Sequence, residues 1–155
     1  MKLSTKGRYA VMAMVDLACH CSGRPVTLAD IAQRQEISLS YLEQLFAKLR
    51  RGGLVRSVRG PGGGYLPARA AEDTRISDII LAVDEPLRAT RCPVGTGAGC
   101  KSDKTRCLTH DLWEELGNQI HLYLSSVSVA DVCQRRVLGT SRLMAGDHAH
   151  GIAAQ

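Results

Sequence analysis

The fold is decided by residues 27–65, which have the sequence TLADIAQRQEISLSYLEQLFAKLRRGGLVRSVRGPGGGY. Two helical patterns occupy most of this stretch. The first begins at Thr27 and has Asp30 three residues later, a spacing close to that of a capping box. The second is capped by Ser38 and is predicted to span residues 39–51. Two short helices separated by a few residues, the second with a polar outer face, indicate a helix-turn-helix.

A hairpin is predicted directly after the second of these helices. Residues 54–59 alternate between apolar and polar side chains, as a half-buried strand does. The glycine-rich residues 60–64 form a turn, and Tyr65 begins the returning strand. A β-hairpin in this position is a wing. The sequence therefore predicts a mostly α fold with a small β-hairpin wing, a winged helix-turn-helix.

Further helices are predicted on both sides of this module. A first helix, capped by Ser4 or Thr5, ends at residues 22–25. Its expected apolar face consists of Val11, Met14, Val15 and Ala18. The expected inner faces of the next two helices are Leu28, Ile31 and Ala32, and Leu42, Leu45, Phe46 and Leu49. A later stripe predicts a fourth helix around Ile76, Ile79, Ile80 and Val83.

A long helix is predicted from about residue 109 to residue 126, and Ser128 caps a last short helix through Val137. The long helix has an apolar face made of Leu112, Leu116, Ile120, Tyr123, Leu124 and Val127. A small domain has too little core of its own to cover such a face, so we expect a partner chain there.

These patterns divide the chain into three parts. Residues 1–69 are the predicted winged helix-turn-helix DNA-binding domain. Residues 70–137 carry a cysteine-rich loop and the dimerisation helices. Residues 138–155 lack apolar periodicity and are expected to form a disordered tail.

Charge is distributed unevenly along the 155 residues. Residues 1–69 contain 11 Lys and Arg against 4 Asp and Glu, a net charge of +7, whereas residues 70–155 contain 9 against 11, a net charge of −2. A basic half of this size indicates a polyanionic partner, most often nucleic acid. A solvated basic surface is the alternative, but the helix-turn-helix and wing favour double-stranded DNA.

Other classes of protein are disfavoured. No run approaches the ~18 apolar residues of a membrane span, and the first residues lack the apolar stretch of a signal peptide. We therefore expect a cytoplasmic protein with no membrane partner. No nucleophile–base pair, paired carboxylates or cofactor loop is recognisable, so the sequence predicts neither an enzyme nor a small-molecule substrate.

The predicted recognition helix supplies most of the candidate DNA contacts. A recognition helix presents its N-terminal half and exposed face to the major groove, where Gln pairs with adenine and Glu accepts from cytosine. The candidates on this helix and its cap are Ser38, Ser40, Tyr41, Glu43, Gln44 and Lys48. On the wing they are Arg56, Arg59, Gly62 and Gly63. Glu43 would discriminate between sites, because a carboxylate near phosphate weakens binding unless a base donates to it.

Three cysteines and a histidine form a second candidate site. Cys92, Cys100 and Cys107 are separated by seven and six residues, and His110 follows at the start of the long helix. Structural zinc usually uses tighter Cys spacings, and a wide loop suits a larger iron–sulfur cluster. The spacing leaves a cluster, zinc and a redox disulfide open. The remaining cysteines are expected to be packed residues, because Cys19 and Cys21 point about 200° apart on a helix.

Several separated motifs resemble one known family. They are MKLSTKGRYA at residues 1–10, ISLSYLEQLF at 37–46, SVRGPGGGY at 57–65 and CLTHDLW at 107–113. They occur in the same order in the IscR-type regulators of iron–sulfur cluster assembly, a family of dimeric winged-helix repressors. The resemblance covers about residues 1–135. Related repressors that sense nitric oxide or iron share the fold, but His110 and the run 40–44 favour the IscR type.

The resemblance implies a specific regulatory scheme. It implies a 2Fe–2S cluster held by Cys92, Cys100, Cys107 and His110, and a homodimer formed through the long helix. The dimer with its cluster would bind pseudo-palindromic promoter sites and repress cluster-assembly genes. The dimer without its cluster would still bind a second class of promoter. In that scheme Glu43 helps to exclude the second class. The loops between the cysteines are one or two residues longer than expected for the family.

Overall fold

The computed structural model describes residues 4–86 and 99–137. In chain order the elements of this part are α1 (Thr5–His20), α2 (Leu28–Gln35), α3 (Leu39–Arg51), β1 (Val55–Val58), β2 (Gly64–Pro67), α4 (Ile76–Ala82), α5 (His110–Ser126) and α6 (Val129–Cys133). The mostly α fold with a hairpin wing is confirmed. Cys92 and the tail 138–155 lie outside the described residues.

The helix-turn-helix forms with the predicted caps. The Thr27 hydroxyl accepts the N–H of Asp30 at 3.1 Å and donates to its carboxylate at 2.7 Å. Ser38 caps α3 by accepting the N–H of Tyr41. Between the helices, Glu36 adopts a left-handed conformation with φ of +53°, which ends α2 and turns the chain into α3. The apolar face of α3 is buried as predicted: Leu42, Leu45, Phe46 and Leu49.

The wing is a two-stranded antiparallel sheet. Val55 pairs with Pro67 and Val58 with Gly64. The strands are shorter than predicted, because β1 begins at Val55 and ends at Val58, before Arg59. A backbone bridge between Val26 and Tyr65 adds the segment before α2 to the edge of the hairpin. The Tyr65 ring also packs edge-on against Phe46 of α3, with ring centroids 4.9 Å apart. The wing therefore has a fixed position relative to the recognition helix.

The predicted apolar face of α1 is wrong by about one residue. Of the four expected residues only Met14 is buried, whereas Val11, Val15 and Ala18 are half-buried. The buried apolar side chains are Ala10, Ala13, Met14 and Leu17. The prediction favoured large side chains, but the small Ala10 and Ala13 allow neighbouring elements to approach closely. α1 contacts α2, α3, β2, α4 and α6.

The last helix also ends earlier than predicted. Ser128 caps α6 in a capping box with Asp131, but the helix ends at Cys133 rather than at Val137. Arg135 has a φ of +54°, and this left-handed residue stops the helix. Apolar residues from both predicted domains, including Leu17, Phe46, Ile79, Ile80 and Val129, belong to one continuous core. The division of the chain at residue 69 stays a prediction.

A buried carboxylate connects α1 to the helix-turn-helix. The Asp16 side chain is fully buried, and Arg34 of α2 donates to both of its oxygens from Nε and to one of them from Nη2 at 2.6 Å. Gln35 adds a further hydrogen bond at 2.7 Å. His20 lies one turn along α1, with its Nδ1 3.6 Å from the Asp16 carboxylate. We call Asp16, Arg34 and Gln35 the Asp16 clamp.

The clamp keeps its carboxylate ionised. Burial alone would raise the pKa of Asp16, but the hydrogen bonds from Arg34 and Gln35, with the charges of Arg34 and His20, outweigh burial and lower the pKa below its ordinary value of 3.8. A lowered folded-state pKa contributes stability above the unfolded pKa. That contribution is lost as the pH falls through the folded-state value.

We predict that Asp16→Asn lowers the free energy of unfolding by about 2 kcal/mol, because charge-assisted hydrogen bonds to a buried carboxylate are lost. The difference in the free energy of unfolding between the variant and the wild type should be largest above pH 4. It should become smaller as the pH falls further, because the wild-type carboxylate is then protonated. Urea unfolding at several pH values measures both effects. Asp73→Asn, at an exposed position, is the control and should change the free energy of unfolding little. Equal losses for both variants at all pH values would contradict the role of the clamp.

Candidate nucleic-acid interface and metal centre

The exposed face of α3 carries polar side chains, as a recognition helix requires. Ser40, Glu43 and Gln44 are exposed, and Ser38 stands exposed at the cap. Tyr41 is half-buried, because its ring packs edge-on against Tyr9 of α1 with centroids 6.0 Å apart. The α3 N-terminus thus offers hydroxyl, amide and carboxylate groups on one surface. These groups have the chemistry that base edges and phosphates recognise.

Lys48 has a protein partner in this structure. Its Nζ donates to Asp84 Oδ2 at 2.7 Å, and the Lys48 side chain is 29% exposed against 73% for Asp84. The hydrogen bond from Lys48, with its charge, lowers the pKa of Asp84. The pair joins the recognition helix to the segment that follows α4. The sequence pattern placed Lys48 on the DNA face and gave no indication of this contact.

The tip of the wing is built from glycine and arginine. Gly63 donates its N–H to Gly60 O at 2.9 Å, and a Cβ at Gly63 would lie 2.5 Å from Val58 O. Gly62 has a φ of +71° and open space around it. Arg59 is exposed and lies directly before this turn. The tip of the wing therefore presents glycine main chain and the Arg59 guanidinium side by side. Both groups can contact the phosphates of DNA.

Arg56 lies nearer to the base of the wing. It pairs across the hairpin with Leu66 and is exposed. It also lines a shallow cavity of about 290 Å³ together with Cys21, Pro67 and Arg69. Arg56 and Arg59 are thus both exposed and available to an anion.

The described part of the cysteine-rich loop, residues 99–107, is held by hydrogen bonds within itself. The Asp103 carboxylate accepts hydrogen bonds from the N–H and hydroxyl of Thr105 at 2.9 and 2.6 Å, and Lys101 donates its N–H to Thr105 O at 3.2 Å. The chain therefore folds back between Cys100 and Cys107. The Cys107 N–H donates to Cys100 Sγ at 3.2 Å, which puts the two predicted ligands next to each other.

His110 is the buried member of the predicted ligand set. It is the first residue of α5, and its N–H donates to Cys107 O at 3.0 Å. The side chain is 1% exposed, and its buried Nδ1 has no hydrogen-bond partner among residues 4–86 and 99–137. Nε2 lies 3.8 Å from Glu114 Oε2 one turn along the helix. A buried ring nitrogen without a partner is costly unless a ligand occupies it.

A second group of metal-binding side chains overlaps the first. His110, Asp111 and Glu114 each offer one ligand atom, and these atoms lie within 4.8 Å of one another. Asp111 is exposed and pairs with Arg106 at 3.4 Å. Sequence reasoning missed Glu114, although its position four residues after His110 places both side chains on one face of the helix.

The other cysteines do not all occupy the buried positions expected for them. Cys19 is exposed, whereas Cys21 and Cys133 are half-buried. The expectation of a packed side chain is therefore wrong for Cys19. This residue lies in the last turn of α1, next to Cys133 at the end of α6, and it is exposed to solvent.

The apolar face of α5 is partly uncovered in the described part of the chain. Leu112 is 62% exposed and Tyr123 is 48% exposed. Leu116, Ile120, Leu124 and Val127 are half-buried. On this helix the buried residues are His110 and Gly117. Within residues 4–86 and 99–137, no helix combines the length and apolar character needed to cross a membrane.

The chain is similar to known regulators over most of its length. Residues 3–135 match the family model named Rrf2, which is described as iron-dependent transcriptional regulator. An HTH-type transcriptional regulator of Azotobacter vinelandii is 56% identical over 135 residues, which cover 87% of this chain and 80% of that protein. The HTH-type transcriptional regulator IscR of Photorhabdus laumondii is 54% identical over 132 residues, covering 85% and 79%. The solved structure of T. potens IscR has a TM-score of 0.71 and 40% identity, and 88% of each chain is covered.

Proposed function

Because the chain belongs to the Rrf2 family of DNA-binding transcriptional regulators, we propose that it senses the supply of iron–sulfur clusters through a 2Fe–2S cluster and represses the genes of cluster assembly. The observation that carries this proposal is the buried, unpartnered Nδ1 of His110 beside the loop of Cys100 and Cys107. The ligands would be these three residues together with Cys92.

The donor set fits a cluster in its chemistry. Thiolates are the usual ligands of iron–sulfur clusters, and imidazole replaces some of them in known cluster types. Nε2 of His110 faces Glu114, so a proton on Nε2 leaves the Nδ1 lone pair for a metal. The N–H of Cys107 supplies a hydrogen bond to the sulfur of Cys100. When bound, the cluster would supply a cross-link between the loop and α5 that exists only while iron and sulfide are available.

We further propose that Asp84 couples this site to DNA binding. Asp84 holds Lys48 of the recognition helix, and its backbone carbonyl accepts from Lys6 Nζ at 3.2 Å. The next residue, Glu85, accepts hydrogen bonds from the backbone and side chain of Ser4 at the start of α1. In the sequence, Cys92 follows Glu85 by seven residues. A change in the loop could therefore alter the contacts of Asp84 with α3 and of Glu85 with the start of α1.

DNA recognition would combine two kinds of contact. The wing, with Arg59 and the backbone of Gly62 and Gly63, supplies phosphate contacts that do not depend on sequence. The α3 side chains Ser40, Glu43 and Gln44 supply base contacts. A homodimer is proposed because one recognition helix covers one half of a pseudo-palindromic site. The exposed face of α5 around Leu112 and Tyr123 offers the apolar surface that a second copy would cover.

We predict that Cys107→Ser, Cys100→Ser and His110→Ala each abolish cluster retention, because each removes a proposed ligand. Glu114→Gln should keep the cluster but lower the affinity for it about 10-fold, since the carboxylate that orients the His110 ring is lost. Iron and sulfide content and the visible absorption spectrum of anaerobically purified protein measure retention. Cys21→Ser is the matched control and should remain coloured. A colourless wild type loaded with zinc would contradict the cluster and favour a zinc-stabilised module.

We predict that Arg59→Ala weakens binding to all DNA sequences and lowers the slope of log affinity against log salt by about one, as loss of one phosphate contact does. Glu43→Ala should instead reduce discrimination between promoters while it leaves the salt slope unchanged. Fluorescence anisotropy with two promoter fragments at several salt concentrations measures both. Arg136→Ala removes an equal charge from an exposed position three residues after the end of α6 and should have little effect on DNA binding. An unchanged salt slope for Arg59→Ala would argue against wing contacts.

We predict that the double substitution Leu112→Asp and Tyr123→Asp converts dimers into monomers, because it puts two charges into the proposed apolar interface. Sedimentation velocity of the full chain measures the change. Asn118→Asp, at another exposed position of α5, should leave the dimer intact. A wild type that sediments as a monomer at micromolar concentration would contradict the proposed homodimer.

A further inference from the structure

Two thiols outside the candidate metal centre lie against each other. Cys19 Sγ donates to Cys133 Sγ at 2.7 Å, although the two residues are 114 positions apart. Cys133 Sγ in turn donates to Val15 O at 3.8 Å. We call Cys19 and Cys133 the α1–α6 thiol pair, because Cys19 is in the last turn of α1 and Cys133 is the last residue of α6.

The surroundings of the pair favour a bond between the sulfurs over a metal ion. Among residues 4–86 and 99–137, the ligand atoms that converge as an ion requires belong to His110, Asp111 and Glu114, not to this pair. Cys21 is directed elsewhere, since its Sγ donates to Ala18 O at 3.7 Å. Two sulfur donors alone do not make the four-coordinate site that zinc prefers.

We propose that Cys19 and Cys133 form a reversible disulfide when the protein meets hydrogen peroxide. This modification site is separate from the proposed cluster and does not depend on it. Disulfides are rare in reducing compartments, and those that occur there are mostly transient and redox-sensing.

The packing of α1 against α6 already brings the two sulfurs close to bonding distance. A disulfide bond is about 2.05 Å long, so the sulfurs need to approach by about 0.7 Å. Cys19 is exposed and borders a shallow cavity of about 310 Å³, lined also by Val11, Val15 and Val132. A molecule as small as hydrogen peroxide can reach Cys19 through this opening.

The two sulfurs would have different roles. Burial, and then the hydrogen bond and charge of Cys19, raise the pKa of Cys133 to about 12, so this residue stays a thiol. Cys19 is the exposed sulfur and is therefore the one that hydrogen peroxide oxidises first. Cys133, held at 2.7 Å, is positioned to resolve the product.

The reaction balances in two steps. Cys19 first releases its proton to solvent, and its sulfur attacks one oxygen of hydrogen peroxide. The O–O bond breaks, a sulfenic acid forms, hydroxide leaves, and the sulfur has given two electrons to the peroxide. The Cys133 sulfur then attacks the Cys19 sulfur. The S–S bond forms and the S–O bond breaks, and the departing hydroxide takes the Cys133 proton as water. The first hydroxide takes a proton from solvent, so one peroxide and two thiols give one disulfide and two waters.

The position of the bond links two parts of the fold. Cys19 follows the Asp16 clamp by one turn of α1, and the clamp holds the helix-turn-helix through Arg34. Cys133 ends α6, which follows α5 after Val127 and Ser128. The disulfide would therefore fix the segment after α5 to the helix that carries the helix-turn-helix.

The test uses the full chain, purified without oxygen and exposed to a small molar excess of hydrogen peroxide. Remaining thiols are alkylated, and the protein is digested without reductant and analysed by mass spectrometry. We expect a linked peptide pair that contains Cys19 and Cys133 and that disappears on treatment with dithiothreitol. The linked protein should also unfold at a higher urea concentration than the reduced protein, because the bond closes a long loop.

Three variants give the controls. In Cys133→Ser the sulfenic acid should persist, so that dimedone labels Cys19. Cys21→Ser should form the linked pair as the wild type does. The triple variant Cys92→Ser, Cys100→Ser, Cys107→Ser should also form it, which separates this site from failure of the cluster proposal.

Two results would overturn the proposal. One is a folded wild type in which Cys19 and Cys133 both remain alkylatable after peroxide has oxidised other cysteines. The other is a disulfide that joins Cys19 to a different cysteine, such as Cys21, in the wild-type chain. Both are obtained from the wild-type digest alone, so the proposal stays open to refutation even if a variant fails to fold.

Discussion

The arrangement of the described helices depends on the burial of α1. This helix contacts the helix-turn-helix and also α4 and α6, and it carries a fully buried carboxylate. A buried charge must be matched by donors, and Arg34 and Gln35 supply them from the end of α2. The hydrophobic core brings the helices together, and the Asp16 clamp fixes the orientation of α2 relative to α1. Because a short connection joins α2 to the recognition helix α3, the orientation of α2 also constrains that of α3.

The contacts that we propose to link sensing to DNA binding lie at the end of α4. Asp84 binds Lys48 of the recognition helix, and Glu85 binds Ser4 at the beginning of α1. These two acidic residues stand between the DNA-binding module and the chain that leads to the first proposed cluster ligand. The Asp84–Lys48 pair is solvent-exposed on the Asp84 side, so it is a weak and readily exchanged interaction rather than a rigid one. A regulatory contact benefits from being easy to break, since small changes in the loop then suffice to alter it.

Two sulfur sites with different chemistry occur in one chain. The loop of Cys100 and Cys107 is exposed to half-buried and is supported by the turn at Asp103, which suits binding of a group from solution. The pair of Cys19 and Cys133 lies where the end of α1 meets the end of α6, with Cys19 exposed and Cys133 half-buried. Sulfurs in a loop can adapt to a ligand, whereas two sulfurs held next to each other by packed helices favour a bond with each other once one of them is oxidised.

Local sequence determined the elements, because their signals are carried by neighbouring residues. The caps at Thr27 and Ser38, the buried stripe of α3 and the glycine turn of the wing are all contacts within a few positions of the chain. The proposed ligands were also recognisable, since Cys107 and His110 are three residues apart and lie near one helix start. Only the tertiary structure decided the face that α1 buries, the Asp16 clamp, the contact of Lys48 with Asp84 and the meeting of Cys19 with Cys133. Each of these depends on how close two distant helices approach, and that distance is set by side-chain packing of the whole core rather than by any local pattern.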